Sequence, residues 1–423
     1  MYHLLCVKII LTILFLKICH KNVFSLHPIN RTEKLISYTI PEKRGLKKAF
    51  GYDEDTYLNF TELTTKYNYP SEEHTVTTED GYILTIFRIL AKCNAPSRHY
   101  PVLLMHGVLD SSDGWIIAGS EIGIGFVLAR NCYDVWAANH RGNSYSRKHV
   151  RFDANIDPEY WDYTFDEHGN YDLPATVDYV LQNTGKAKIN FVGHSQGTTN
   201  FYVMNSLKPQ YNEMINLSIH LAPVAWLKNT ESIISIIAAQ GSGLIKQFLS
   251  DIGIREFLGK NHIIHVAFEA LCQLVPDEIC GTMLALTVGY VQGTINPKRI
   301  SVVFGHVLNG VSIKNADHFG QLIRSGKFQR YDEGISGNLK RYGRQHPANY
   351  NLSLVTAPVV LVSAKSDWLS SVKDVKILCS KLPNLLENYE IPLAYWSHHN
   401  HLWDDNIKEY LFPKMFEYLN KYN

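Results

Sequence analysis

Ser195 lies in Gly193-His194-Ser195-Gln196-Gly197, a G-x-S-x-G pentapeptide that ends the apolar run Ile189-Asn190-Phe191-Val192 and leads into Thr198-Thr199. A hydroxyl that is to attack a carbonyl must stand clear of its own backbone. A strained strand-to-helix turn achieves this, and glycines on either side remove the Cβ atoms that would clash. The helix that starts there also aims backbone N–H groups and its positive end at the reacting atom. The pattern predicts a serine nucleophile; an ordinary glycine-rich turn is the plain alternative.

Such a serine needs a base to take its proton and a carboxylate to orient that base. With this kind of turn the three follow in the order Ser, Asp or Glu, His, the last two in loops after late strands. Asp367, in Lys365-Ser366-Asp367, comes directly after the apolar run Val359 to Ala364. A solvated turn aspartate is its bland reading. The histidine must come later, and Trp396-Ser397-His398-His399-Asn400-His401 offers three that spacing does not separate. Two N–H donors must meet the developing oxyanion. One is the backbone of Gln196; the other belongs to the loop after Pro101-Val102-Leu103-Leu104-Met105, where His106-Gly107 leads to Val108. A tight turn alone would also explain His106-Gly107. Asp404 and Asp405 stand too close to His401 for the carboxylate role and read as a helix N-terminal acidic pair. No metal site is expected, because the histidine run has no second ligand group at metal spacing and H-E-x-x-H is absent.

The elements that must position these residues are visible as short apolar runs. Glu73 to Phe87, with the turn Glu79-Asp80-Gly81, predicts a β-hairpin. Val102 to Met105, Tyr133 to Ala138, Ile189 to Val192, Ile219 to Ala222 and Val359 to Ala364 predict buried strands, and Leu173 to Leu181 a helix. Strands alternating with helices imply a mostly parallel sheet covered on both faces. From Pro223 to about Gly343 the alternation stops and helical periodicity takes over, as in Ile233, Ile236 and Ile237 or Ile245, Phe248, Leu249 and Ile252. This predicts a helical insertion capping the strand ends, where ligands of open α/β sheets bind. Periodicity favours packing of those apolar faces into the cap core. A lid that opens on an oil surface, hinged at Gly241 and Gly243, is the alternative.

Lys plus Arg number 41 against 40 for Asp plus Glu, so charge directs the chain neither to nucleic acid nor to an anionic membrane. Leu4 to Cys19 is apolar but interrupted by Lys8 and Lys17, which predicts a signal peptide rather than a stable transmembrane span. The sequons at Asn30, Asn59 and Asn351 are expected to carry glycans; Asn216 lies among apolar residues that suggest burial. Cys272 and Cys280, close together around Pro276, are the expected disulfide, while Cys132 and Cys379 read as small buried hydrophobes. The expected layout is a signal peptide over 1–25, a linker or pro-segment over 26–54, core over 55–222, cap and lid over 223–343, and core again over 344–423.

Taken together, several of these stretches closely resemble the acid lipases, the family of gastric, lysosomal and insect gut lipases. The likeness is carried by His106-Gly107-Val108-Leu109, Asn139-His140-Arg141-Gly142-Asn143, Tyr171-Asp172-Leu173-Pro174-Ala175-Thr176, Gly193-His194-Ser195-Gln196-Gly197 and Ser325-Gly326-Lys327-Phe328-Gln329, in that order. The resemblance implies an α/β-hydrolase fold with a helical cap and mobile lid, Ser195 as nucleophile, Asp367 as acid, and His401 of Asn400-His401-Leu402 as base. It also implies Val108 and Gln196 as oxyanion donors and Cys272–Cys280 as a cap disulfide. The expected function is a secreted or lysosomal serine hydrolase of neutral lipid esters, triacylglycerol and sterol esters among them. It would act as a monomer at a lipid–water interface, without a cofactor. A carboxylesterase for soluble esters and a catalytically silent lipid-binding protein are the alternatives.

Overall fold

The computed structural model describes residues 44–93, 99–259 and 263–422. The expected signal peptide, the sequon at Asn30 and most of the segment 26–54 lie outside them.

The sheet is built around β3 (Val102–Met105), a four-residue apolar strand buried on both faces. On one side it pairs in parallel with β4 (Val135–Ala138), Met105 lying beside Ala138. On the other it pairs with β5 (Ile189–His194), Met105 lying beside Gly193. The predicted hairpin forms as β1 (Ser71–Thr77) and β2 (Tyr82–Ile89), antiparallel, and β2 joins β4. Beyond β5 come β6 (Ile215–Leu221), β7 (Val359–Ser363) and β8 (Leu385–Glu390), all parallel. The order across the sheet is therefore β1-β2-β4-β3-β5-β6-β7-β8, with the short strand Lys148–His149 paired to β2.

Alternate residues of one strand serve opposite cores. Val102 and Leu104 of β3 join Val135, Val192 and Ile219 on one face, whereas Leu103 and Met105 join Trp136, Phe191 and Leu361 on the other. Helices cover both faces. Helix α1 (Phe60–Lys66) starts at Asn59, whose side chain accepts from Glu62 N while the Glu62 carboxylate accepts from Asn59 N. Helix α2 (Ile124–Arg130) lies between β3 and β4, and α3 (Leu173–Thr184), with Pro174 in its first turn, precedes β5.

Between β6 and β7 the described residues are mostly helical, with a short antiparallel pair of Glu256–Phe257 with Val311–Ser312. Helix α4 (Gln196–Leu207) directly follows β5, and the main helices between β6 and β7 are α5 (Ile233–Asp251), α6 (Ile263–Leu274), α7 (Pro297–His306) and α8 (Ile313–Ser325). Cys272 and Cys280 are disulfide-bonded. Cys132, read from sequence as a buried hydrophobe, is instead bonded to Cys93 across 39 residues. That bridge ties the end of β2 to the turn between α2 and β4, and closing such a loop stabilises by at most about 4 kcal/mol in chain-entropy terms. Cys379 keeps a free thiol and is half-buried. Asn216, doubted as a glycan site, donates to Asn190 Oδ1 and to Tyr422 O, whereas Asn351 is exposed.

Candidate active site

Ser195 stands between the last residue of β5 and the first of α4, at φ 52° and ψ −120°. A non-glycine residue in such a conformation costs of order 1–3 kcal/mol and persists only where its surroundings over-determine it. They do here. Ser195 N donates to Leu221 O at 3.0 Å, its carbonyl accepts from Thr198 N at 2.9 Å and from Thr198 Oγ1 at 2.7 Å, and Thr198 Oγ1 accepts from Val224 N. The glycines have a direct steric cause. A Cβ on Gly197 would sit 2.2 Å from Met105 O, and one on Gly107 would sit 3.2 Å from Ser195 Cβ. The elbow is thus pressed against the end of β3, and only glycine fits at the contact.

Asp367 follows β7 as expected and is buried, and it is held from two sides. Its Oδ1 accepts from Leu369 N at 3.0 Å and Ser370 N at 2.8 Å, and its Oδ2 lies 2.8 Å from His398 Nδ1. The histidine paired with the carboxylate is therefore His398, not His401. A knot formed by Asn400 sets this register: its Oδ1 accepts from Ser397 N and Oγ, and its Nδ2 donates to Asp404 Oδ2 at 2.7 Å. That turn presents His398 from the loop, and the single helical turn Asn400–Trp403 then carries His401 into the interior, edge-on to Trp396. His401 has no hydrogen-bond partner at either ring nitrogen, and burial pulls its pKa down to about 3. His399 stacks flat on Trp403 at 4.5 Å. Asp404, expected in a helix N-terminal acidic pair, is spent on Asn400 and Asn406, while Asp405 pairs with Arg299. The His398 carbonyl accepts from His194 Nε2 at 3.0 Å, which brings the histidine loop against the residue before the nucleophile.

The β3–β5 register does the remaining positioning. Because Met105 pairs with Gly193, the loop His106-Gly107-Val108 leaves the sheet beside Ser195 and Gln196. Val108 N and Gln196 N, the first amide of α4, come from the two chain segments that flank the serine. Spacing in the sequence does not separate His398 from His401; the Asn400 bonds to Ser397 and Asp404 do, by setting which histidine leaves the loop and which enters the core.

Above the strand ends, α5 contradicts the expectation that its apolar face packs into the cap. Ile237, Leu244 and Phe248 are 68%, 81% and 61% exposed, and Ile233, Ile234 and Ile245 are exposed with them. The polar and small face turns inward instead, onto α8. Ser242 Oγ donates to Asp317, Arg324 donates to Ala239 O and Ser242 Oγ, and Lys246 Nζ donates to Tyr331 OH at 2.8 Å. Gly320 of α8 admits Ser242 so closely that a Cβ there would lie 2.5 Å from its hydroxyl. By length and composition α5 could cross a membrane, but one face is committed to these polar bonds. Gly241 and Gly243, expected as hinges, lie within the unbroken helix. Its start is anchored beside the carboxylate, since Thr230 Oγ1 and Glu231 N both donate to Trp368 O.

Comparison with known proteins agrees with this geometry. Residues 60–119 match the family described as partial alpha/beta-hydrolase lipase region, and residues 100–223 match the alpha/beta hydrolase fold. Lipase 1 of Drosophila melanogaster is 37% identical over 385 residues, 90% of this chain and 83% of that protein. Human lysosomal acid lipase/cholesteryl ester hydrolase is 33% identical over 393 residues, 92% and 97% of the two chains. Gastric triacylglycerol lipase of Bos taurus is 36% identical over 353 residues, 82% and 87%. With identity at this level over nearly whole chains, and a serine elbow at the carboxyl end of a mostly parallel sheet, this chain belongs to the acid lipase family of α/β-hydrolases and is a carboxylic ester hydrolase.

Proposed function

We propose that this chain is a lipase that hydrolyses neutral lipid esters, triacylglycerol and sterol esters, at a lipid–water surface, using Ser195, His398 and Asp367. The observation that carries the reading is the 2.8 Å contact between Asp367 Oδ2 and His398 Nδ1, in a loop bonded to the residue next to Ser195. A carboxylate on Nδ1 leaves Nε2 free to accept a proton, which is the tautomer a serine nucleophile requires.

Ser195 Oγ attacks the ester carbonyl as His398 Nε2 takes its proton, and the N–H groups of Val108 and Gln196 hold the resulting oxyanion. His398 passes that proton to the alkoxide of the leaving alcohol, and an acyl-enzyme remains. Water, deprotonated by His398, then releases the fatty acid and restores Ser195. The chain requires no cofactor for these steps. The exposed apolar face of α5 supports action at an oil surface. An unpartnered stripe of isoleucine, leucine and phenylalanine beside the strand ends is what a lipid phase would cover. The reading includes secretion or delivery to a lysosomal lumen, supported by the two disulfides, with glycans at Asn59 and Asn351 and a monomeric enzyme.

The test is hydrolysis of emulsified long-chain triacylglycerol and of a soluble short-chain ester by the purified protein and by Ser195→Ala. Hydrolysis of the emulsion that Ser195→Ala lowers by about 10⁴-fold or more is expected. Activity confined to the soluble ester would leave a carboxylesterase, and no serine-dependent activity on either would leave a lipid-binding protein.

A further inference from the structure

Beneath the serine elbow lies a chain of buried polar side chains that the reaction above does not use. Asn315 of α8 donates from Nδ2 to Gln196 Oε1 at 2.8 Å, and Gln196 Nε2 in turn lies 3.0 Å from His168 Nδ1. The His168 ring stacks on His140 at 4.6 Å and 11°, and His140 packs on His106 at 3.8 Å. His140 Nε2 reaches His106 O at 3.2 Å, and Asn143 Nδ2 reaches His106 Nε2 at 3.1 Å, which leaves the His106 Nδ1 proton for Gly107 O at 2.8 Å. All six of these side chains are buried.

The two ends of this chain are the two oxyanion segments. Gln196 supplies one N–H itself, and His106 is two residues before Val108, which supplies the other. We propose that His168 is a positioning residue for the hydrolysis: through the Gln196 side chain and the His140–His106 stack it holds the two oxyanion N–H donors at a fixed separation, with Asn315 securing the far side of the Gln196 amide. This inference rests on the hydrolase reading. Three observations support it. Gln196 has both its amide atoms engaged, one by the core and one by the insertion, so its side chain cannot rotate without breaking a buried bond. The bond to Gln196 requires His168 Nδ1 as acceptor, and burial together with neighbouring His140 and Arg141 keeps the ring neutral. His168 Nε2 is then a buried N–H with no partner, a donor stripped of water with nothing to replace it. A core position that needed only volume would be filled more stably by leucine or methionine. The imidazole instead sets its acceptor nitrogen against the side chain of Gln196.

The effect should appear in the transition state and not in substrate binding, because an N–H displaced by a few tenths of an ångström still lets the ester bind. The full-length protein is assayed on a soluble short-chain p-nitrophenyl ester, with Ser195→Ala as the reference for serine-dependent activity and thermal melting as the check on folding. His168→Leu is expected to lower kcat by about 30-fold while KM stays within about twofold, and to weaken a trifluoromethyl ketone inhibitor, whose serine adduct carries the oxyanion, by a similar factor. His168→Gln, whose side-chain oxygen can accept from Gln196, should recover most of that loss. A folded His168→Leu with wild-type kcat, or a loss that His168→Gln does not recover, overturns the inference. Asn315→Leu probes the other side of the same amide and serves if His168→Leu fails to fold. A fall in kcat of about tenfold is expected, and an unchanged kcat overturns the inference. If the wild type shows no hydrolysis that depends on Ser195, the hydrolase reading fails and this inference falls with it; serine-dependent activity that ignores both variants sinks the inference alone.

Discussion

Around Ser195 buried polar side chains bond to one another, as Asp367 to His398 and Gln196 to His168 and Asn315, whereas α5 turns its polar face onto α8 and leaves its apolar face in water. In the first region the bonds fix the residues of the proposed site: Asp367 accepts from two backbone amides before it meets His398, and the Gln196 side chain is held from both sides. In the second, Ser242, Lys246 and Arg324 hold the helix while Ile237, Leu244 and Phe248 gain nothing from folding. The difference shows that amphipathic periodicity specifies two faces but not which one turns inward. A small-residue groove at Gly320 and the buried Asp317 carboxylate decide that here. The unspent apolar area remains available to a lipid phase, at roughly 25 cal/mol for each Å² covered.

The comparison can be broken most severely at the histidine loop. His398→Ala is expected to lower kcat on any ester by on the order of 10⁴-fold, since it removes the proton acceptor, while His401→Phe should stay within about threefold because that ring touches only Trp396 and the core. Steady-state kinetics of the two variants side by side decides it, and equal losses would return His401 to the candidates.

A smaller effect should follow from charging the outer face of α5. Ile237→Glu with Phe248→Glu is expected to reduce hydrolysis of emulsified triacylglycerol by about tenfold and to leave the soluble ester unchanged, because the exposed side chains contribute to contact with oil and not to packing. Loss on both substrates would show instead that the face supports the fold.

The smallest effect concerns acid. Burial lowers His140 to about 4, His220 to about 3, His318 to about 4 and His401 to about 3, and holds His106, His168 and His194 well below their ordinary value. The unfolded chain, titrating near about 6.5, binds more protons than the folded one below that pH. Each such histidine therefore contributes stability that is complete above about pH 6.5 and is lost at up to about 1.4 kcal/mol per unit as pH falls toward its folded pKa. Asp110, raised to about 7, and Asp172, raised to about 6, act in the opposite sense, since the folded carboxyl groups bind protons more readily. The histidines outnumber them, so the melting temperature should fall between pH 7 and pH 5. His168→Leu should flatten that slope, and a melting temperature that rises on acidification would contradict the assigned neutrality of the stack.

Much of the fold could be read from local pattern. β3 and β4 are continuous apolar runs, β5 and β7 are mostly apolar, as strands buried on both faces tend to be, and the hairpin turn at Glu79-Asp80-Gly81 lies where expected. β8 was not legible: Leu385-Leu386-Glu387-Asn388-Tyr389-Glu390 is half-buried at the sheet edge and needs no apolar run. Cys93 and Cys132 gave no spacing signal, because the partners are adjacent only after β2 and α2 have packed.

By itself the sequence determined the placement of the proposed site residues whose geometry is set locally: Ser195 between two glycines at a strand end, and Asp367 after the next-to-last strand. Such features arise within a few residues of chain, so a motif carries them. The choice of His398, the inward polar face of α5 and the His168–Gln196–Asn315 connection were decided by the tertiary structure alone. Each depends on which side chains meet across separations of 28 to 119 residues or around a knot such as Asn400 with Asp404, and a contact of that kind has no period or spacing to betray it.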